Sequence, residues 1–205
     1  MKKIILLMMI SVPILAQTEY ELTPGSKGNQ IILSVENESK NDCVEGVKVS
    51  AVKIPQSIEM KNTVAILESV SGKRAEEAMF SFDAARIPKS LKDTIRFAIT
   101  DKLGSRWNKE IVVKYALPTE FKLEQNYPNP FNPETTIEFT IPEKGSYNLS
   151  VYNILGQVVN ELANDLYEAG YYKVTFDASK LASGIYIYRL SGNKANLLKK
   201  MVVVK

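Results

Sequence analysis

The sequence predicts an all-β protein built from two consecutive β-sandwich domains. Short runs rich in β-branched and aromatic residues recur about every ten residues between turn residues, as in antiparallel sandwiches. Several runs alternate apolar and polar side chains, for example residues 47–52 and 94–100, so that one face of each strand would meet a core. A proline-rich segment at 126–133 separates two groups of runs. These features favour two small β-domains over one large domain.

The first 16 residues have the features of a secretory signal peptide. Lys2 and Lys3 precede an apolar run that ends near Ala16. At about a dozen residues this run is shorter than the roughly 20 residues that a membrane-spanning helix needs. Gln17, rather than the cysteine of a lipoprotein, follows Ala16. We therefore expect cleavage after Ala16 and a mature chain that begins at Gln17.

The net charge gives no support for a nucleic-acid partner. The chain has 26 basic and 23 acidic residues, and loss of Lys2 and Lys3 would leave 24 basic residues and a formal net charge of +1. Binding to phosphate backbones or to an anionic membrane surface needs clustered excess positive charge. A mature protein this close to neutrality is not expected to bind nucleic acid.

The residue types also disfavour an enzyme. The chain has no histidine, which excludes Ser-His-Asp and Cys-His nucleophiles and zinc sites built on imidazole. Cys43 is the single cysteine, so no disulfide can form within the chain. No two acidic residues are spaced as an acid/base pair, and Asp165 and Asp177 lack the alternating acidic loop of a calcium site. We predict no catalytic, cofactor-binding or metal residues, and no cofactor.

Six strands are predicted in the first domain, and one short stretch there, residues 74–79, has a trace of helical periodicity. The early strand pattern, with its run at 31–37, resembles immunoglobulin-like modules found on bacterial surface proteins. The resemblance implies a fold and no particular function. The predicted strands are residues 30–36, 47–54, 63–70, 78–84, 94–101 and 110–115.

The second half contains a set of motifs in a fixed order. Residues 126–133 read Asn-Tyr-Pro-Asn-Pro-Phe-Asn-Pro, where prolines recur too closely for a helix or a central strand. Residues 151–159 suit a hairpin with Gly156 at its turn, residues 177–190 join turn residues to a strand, and residues 201–205 are apolar and end in lysine. These blocks resemble the opening, central, penultimate and terminal parts of the C-terminal sorting domains of the bacterial type IX secretion system.

This resemblance implies a second sandwich of about seven strands and a set of sorting residues. It places the sorting signal in the opening proline-rich segment, in the penultimate block and at the chain terminus. The candidate sorting residues are Tyr127, Pro128, Asn129, Pro130, Phe131, Asn132, Pro133, Gly184, Tyr186, Val203 and Lys205.

The resemblance also implies an export route and its partners. The leader would take the chain across the inner membrane, and the outer-membrane translocon would then recognise the C-terminal domain. Members of this family commonly lose the domain to a sortase-like peptidase and are joined to lipopolysaccharide. A cut here would fall between residues 115 and 121. The expected location is therefore secreted or on the outer cell surface, reached via the periplasm.

The predicted organisation has four parts. A signal peptide occupies residues 1–16, and an immunoglobulin-like passenger occupies residues 17–115. A Pro/Asn-rich linker and sorting-domain opening spans residues 116–133, and the C-terminal secretion sorting domain spans residues 134–205.

We expect the passenger to be a small surface binding or structural module whose ligand is not indicated. Two alternatives stay open: a spacer remnant of a larger secreted enzyme, or a carbohydrate-binding accessory module. In the second alternative Trp107, the single tryptophan, would stack on a sugar ring. Packing into the core is the favoured interpretation of this side chain, because large aromatic residues mainly serve burial.

Overall fold

A computed structural model describes residues 3–9 and 19–205 of the protein. The described residues form strands and turns and include no helix, so the all-β prediction is confirmed. The strands are β1 Lys3–Met9, β2 Glu19–Leu22, β3 Asn29–Glu36, β4 Val44–Lys53, β5 Ile58–Met60, β6 Val64–Val70, β7 Ala75–Ala84, β8 Lys92–Thr100, β9 Arg106–Tyr115, β10 Lys122–Leu123, β11 Glu134–Ile141, β12 Gly145–Tyr152, β13 Val158–Tyr167, β14 Gly170–Asp177, β15 Gly184–Gly192 and β16 Ala195–Val203.

The chain divides into two compact units, one ending at Ala116 and the other running from Leu117 to Lys205. In the first unit one sheet has the strand order β1-β3-β7-β5, and the other has the order β2-β9-β8-β4-β6. Strands β3 and β7 pair as strands B and E do in an immunoglobulin sandwich, and β4, β8 and β9 pair as C, F and G do. The immunoglobulin-like fold is therefore confirmed for this unit.

Inward-facing residues of the two sheets form the core of the first unit. Phe80 and Phe97 contact each other across it, with ring centroids 4.8 Å apart. Trp107 is partly buried and packs against this core, in keeping with the packing interpretation. Other fully buried members include Leu22, Ile31, Leu33, Val49, Phe82, Ile95 and Val113.

Each of the six strands predicted here overlaps a strand of the structure. Residues 74–79 have no helical turn, because β7 begins at Ala75 and Glu76 pairs with Val35 of β3. Pairing along a whole strand outweighs a weak local period. Strands β2 and β5, with four and three residues, are too short for a periodic pattern and were not predicted.

The predicted signal peptide lies outside the described residues except for β1. That strand pairs in parallel with β3, in a register that places Lys3 opposite Gln30 and Met9 opposite Glu36.

The second unit is a sandwich of seven strands, as the resemblance implies. One sheet has the order β10-β11-β14, and the other has the order β13-β12-β15-β16. All strand pairs within these two sheets are antiparallel. The core between them contains the fully buried residues Ile137, Phe139, Tyr147, Leu149, Val151, Phe176, Tyr188, Leu190 and Met201.

The hairpin turn predicted at Gly156 is present between β12 and β13. The Gly156 amide donates to the carbonyl of Asn153 at 3.0 Å, and the glycine has φ +78°. The side-chain Oδ1 of Asn153 accepts from the amides of Leu155 and Gln157, each at 3.0 Å. Glycine is needed here because most residues with a side chain are strained at positive φ.

Candidate functional site

The proline-rich segment at residues 126–133, here called the proline loop, lies along the last strand of the chain. The amide of Phe131 donates to the carbonyl of Val202 at 3.1 Å, and the amide of Val204 donates to the carbonyl of Phe131 at 3.0 Å. The amide of Val202 donates to Oδ1 of Asn129 at 2.9 Å. Phe131 thus forms a parallel bridge to Val203, and the loop covers the outer edge of β16.

Phe131 anchors the proline loop in the core of the second unit. Its side chain is 2% exposed, and its ring centroid lies 6.1 Å from that of Phe176. Burial of a phenylalanine stabilises a fold by about 1.5–3 kcal/mol. Tyr127 contrasts with it, since its side chain is 83% exposed while its backbone pairs with Thr136.

A second anchor, Asn126, fixes the conformation of the proline loop. Its amide donates to the hydroxyl of Tyr188 at 2.9 Å, and that hydroxyl donates to the carbonyl of Glu124 at 2.7 Å. Its Nδ2 donates to the carbonyl of Pro128 and to Oγ1 of Thr135, each at 3.0 Å. The side chain of Asn126 is buried, so these bonds are shielded from water and would be costly to lose.

The C-terminal residues are also held in place. The backbone amide of Lys205 donates to Oγ of Ser183 at 3.1 Å, and its Nζ donates to the carbonyl of Ser179 at 2.9 Å. Gly184 pairs with Val203, and Tyr186 pairs with Met201 across the β15–β16 ladder. The last residues therefore lie between the penultimate block on one side and the proline loop on the other.

The structure brings together some of the predicted sorting residues and leaves others at the surface. Val203 belongs to the last strand, Asn129, Phe131, Gly184 and Tyr186 pair with it or hydrogen-bond to it, and Lys205 bonds to Ser179 and Ser183. The exposed members of the proline loop are Tyr127, Pro128, Asn129, Pro130, Asn132 and Pro133.

Several residues that hold this arrangement were not predicted. Asn126, Thr135 and Tyr188 form the buried hydrogen-bond network, and Nε2 of Gln125 donates to the carbonyl of Lys200 at 2.8 Å. Asn126 and Tyr188 lie inside the motif blocks, but their partners are distant in sequence. The one feature that could have identified these residues is a polar side chain at a motif position that the fold buries.

Burial raises the pKa of Tyr188 from the ordinary value of 10 to about 12. The hydroxyl must keep its proton to donate to the carbonyl of Glu124. A pKa that is higher in the folded state gives stability that is fully present below pH 10 and is lost as the pH rises toward 12.

We expect Tyr188→Phe to lower the free energy of unfolding of the second unit by about 1–3 kcal/mol, because the buried amide of Asn126 loses its acceptor. The decrease in stability between pH 10 and pH 12 should also become smaller than in the parent. Urea unfolding of the full chain, followed by circular dichroism across this pH range, measures both effects. Tyr186→Phe is the control, since that hydroxyl donates only to the carbonyl of Ala182, and an equal loss in both variants would contradict the assignment.

Carboxylates of the first unit are paired with lysines at the surface. Glu45 lies 2.7 Å from Lys102, and Glu19 contacts both Lys92 and Lys114. Hydrogen bonds to these lysines are the main cause that lowers the pKa of both glutamates. Lowered pKa values keep the carboxylates ionised, which is the opposite of what a general acid needs.

The described residues, 3–9 and 19–205, contain neither a metal-binding cluster nor a membrane-spanning helix. No group of three or more Cys, Asp or Glu side chains among them is placed to hold a metal ion. No helix among them is long and apolar enough to cross a membrane.

The second unit is a small sandwich whose opening and terminal segments are hydrogen-bonded along the last strand. Residues 125–204 match the family described as the secretion system C-terminal sorting domain. The protein therefore carries a type IX sorting domain, and it is exported via the periplasm to the cell surface or the medium.

The similarity of this chain to solved structures is distant. Latent PorU from Porphyromonas gingivalis is 14% identical with a TM-score of 0.36, over 93% of this chain and 19% of PorU. The CupB2 chaperone of Pseudomonas aeruginosa is 10% identical with a TM-score of 0.31, over 91% of this chain and 97% of the chaperone. The secreted serine protease VesC from Vibrio cholerae is 12% identical with a TM-score of 0.34, over 90% and 44% of the two chains. No curated protein sequence matches this chain.

Proposed function

We propose that this protein is a small exported surface module, in which the first unit is a non-enzymatic binding or structural passenger and the second unit is its sorting domain. The proposal rests mainly on one observation. The opening and terminal blocks, which are about 70 residues apart in sequence, form one hydrogen-bonded structure through Phe131 and Val202. The type IX machinery would read this structure in its folded form.

The passenger role is supported by the chemistry of the first unit. The chain has no histidine, and the carboxylates of Glu19, Glu45 and Asp83 are held ionised by neighbouring hydrogen-bond donors. Catalysis by acid/base or nucleophilic groups needs side chains that can exchange a proton near neutral pH. Trp107 packs against the core, which weakens the case for a carbohydrate-stacking platform.

The proposed export route has two steps. Residues 1–16 act as a signal peptide across the inner membrane, and the outer-membrane translocon then recognises the sorting domain. A sortase-like peptidase would remove the domain and attach the passenger to lipopolysaccharide. The segment from Leu117 to Thr119 suits such a cut, because Leu117 is 50% exposed and Thr119 is exposed. The residues on either side of this segment are held by hydrogen bonds. The amide of Ala116 donates to the carbonyl of Leu22, and the carbonyl of Glu120 accepts from Oγ1 of Thr140.

We expect deletion of residues 201–205 to trap the protein in the periplasm. The deletion removes the buried side chains of Met201 and Val203 and the strand edge that the proline loop covers. The measurement is the amount of protein in the medium, on the surface and in the periplasm of a bacterium that has a type IX system. Mass spectrometry of the exported parent should give a C-terminus between residues 115 and 121.

A chain that ends at Ala116 is the reference for complete loss of the sorting domain. Export of both shortened chains at the level of the parent would overturn the proposed function. Retention of both, with export of the parent, would support it.

A further inference from the structure

The second unit exposes a cluster of large apolar side chains on the outer face of one sheet. Ile154 and Leu155 are 76% and 78% exposed in the β12–β13 turn, and Leu198 of β16 is 63% exposed. Contiguous apolar patches on a protein surface commonly mark binding sites. We call this surface the apolar face; it consists of Tyr152, Ile154, Leu155, Ile185, Ile187 and Leu198.

Strand register makes the apolar face continuous across three strands. Ile187 of β15 lies opposite Tyr152 of β12 and opposite Lys200 of β16. Leu198 lies opposite Arg189, one row further along the same face. Directly opposed and diagonal side chains on one face of a sheet are within contact distance.

A depression of about 310 Å³ lies within this surface, lined by Tyr152, Ile154, Ile187, Arg189 and Leu198 with Asn153 and Gly156 of the β12–β13 turn. A concave apolar surface fits a protruding side chain of another protein. Tyrosine and arginine, represented here by Tyr152 and Arg189, are enriched at the energetically dominant positions of protein interfaces.

The charges of the apolar face indicate what kind of partner it fits. Arg189 and Lys200 point outward from β15 and β16, and the described outward residues of β12, β15 and β16 include no acidic residue. Arg189 is held in place because its Nε donates to Oδ1 of Asn196 at 2.8 Å. On the neighbouring strand β13, the acidic residue Glu161 accepts from the uncharged amide of Asn148 at 2.8 Å. A second copy of the chain would bring like charges together, so a partner that carries carboxylates is favoured.

We propose that the apolar face docks an apolar protein surface flanked by carboxylates, and that this surface belongs to the outer-membrane type IX machinery. The inference rests on the proposed function, and it names the part of the folded sorting domain that is read. The depression of about 310 Å³ suits a protruding protein side chain better than a lipid bilayer.

The test compares export of the full chain carrying Leu198→Glu, Arg189→Glu or Arg189→Gln with export of the parent. A residue at the centre of an interface contributes enough that its loss weakens binding by about 30-fold. We expect Leu198→Glu to accumulate in the periplasm and Arg189→Glu to lose more export than Arg189→Gln. Leu166→Glu is the matched control: Leu166 is 58% exposed on the same sheet but lies on β13, opposite Ser146 and away from the apolar face.

The possible results distinguish a type IX partner from a second copy of the chain and from a lipid surface. Retention of a Leu198→Glu protein whose thermal unfolding matches that of the parent, with normal export of Leu166→Glu, supports the docking surface. Normal export of Leu198→Glu, while the chain ending at Ala116 is retained, overturns this inference and leaves the proposed function intact. Two other results would also overturn it: a concentration-dependent dimer that Leu198→Glu abolishes in sedimentation, or binding to phosphatidylglycerol vesicles that the same variant abolishes.

Discussion

Phe131→Ala is expected to lower the free energy of unfolding of the second unit by about 3–5 kcal/mol, the usual cost of truncating a buried phenylalanine. The side chain is 2% exposed and packs against Phe176, so its removal leaves a cavity that the fixed strands cannot fill. The proline loop should then detach from β16, because Phe131 provides both the side-chain anchor and the backbone bridge to Val203.

Urea unfolding of the full chain can separate this effect from the first unit. Trp107, the single tryptophan, lies in the first unit, so its fluorescence reports that unit alone while circular dichroism reports both. Phe131→Ala should shift the unfolding transition of the second unit, seen by circular dichroism, and leave the fluorescence transition of the first unit unchanged. Tyr127→Ala, a truncation in the same loop at a position 83% exposed, should leave stability within about 0.5 kcal/mol of the parent. Equal effects of the two variants would contradict the anchoring role of Phe131.

Gly192→Ala is expected to destabilise the second unit by roughly 2–6 kcal/mol, since positive φ and overpacking each cost about 1–3 kcal/mol. Gly192 ends β15 with φ +146°. An added Cβ would overlap the carbonyl oxygen of Ser146 and lie 3.0 Å from the Cα of Tyr147. Both obstacles are backbone of β12, which cannot move without disturbing the centre of the sheet.

Gly156→Ala is the matched control for that variant. Gly156 also has positive φ, +78°, but a Cβ there would meet no atom within 4 Å. Gly156→Ala should therefore lower the free energy of unfolding only through the strained backbone conformation, by about 1–2 kcal/mol. Urea unfolding of both variants measures the difference. A Gly192→Ala protein as stable as Gly156→Ala would show that the backbone of β12 moves to accommodate the added Cβ, and it would contradict the prediction.

The proline loop also explains how the second unit protects the edge of its last strand. An unpaired strand edge is a template for association with other chains. Here the free edge of β16 is partly used by Gln125, Asn129 and Phe131. Pro128, Pro130 and Pro133 have no amide hydrogen, so the loop offers few donors of its own to a further strand. A proline-rich loop can therefore close the sheet without creating a new edge.

The first unit was predictable from its sequence because its strands alternate clearly and its turns are short. Val47 and Val49 of β4, and Ile95 and Phe97 of β8, are buried as the alternation predicts. The trace of helical period at 74–79 has no counterpart in the structure, since a few residues cannot distinguish the two periods and pairing with β3 decides the outcome.

The sequence by itself determined the all-β class, the sorting resemblance and the position of the proline-rich segment. Tertiary structure alone decided which motif residues are anchors, because Asn129 and Val202 are 73 residues apart and meet only in the folded sheet. It also decided where the apolar face lies. Residues 185–188 are apolar or aromatic at every position, so alternation cannot tell which side is buried. Packing buries Tyr186 and Tyr188 and leaves Ile185 and Ile187 at the surface, because only one face of β15 meets the opposing sheet.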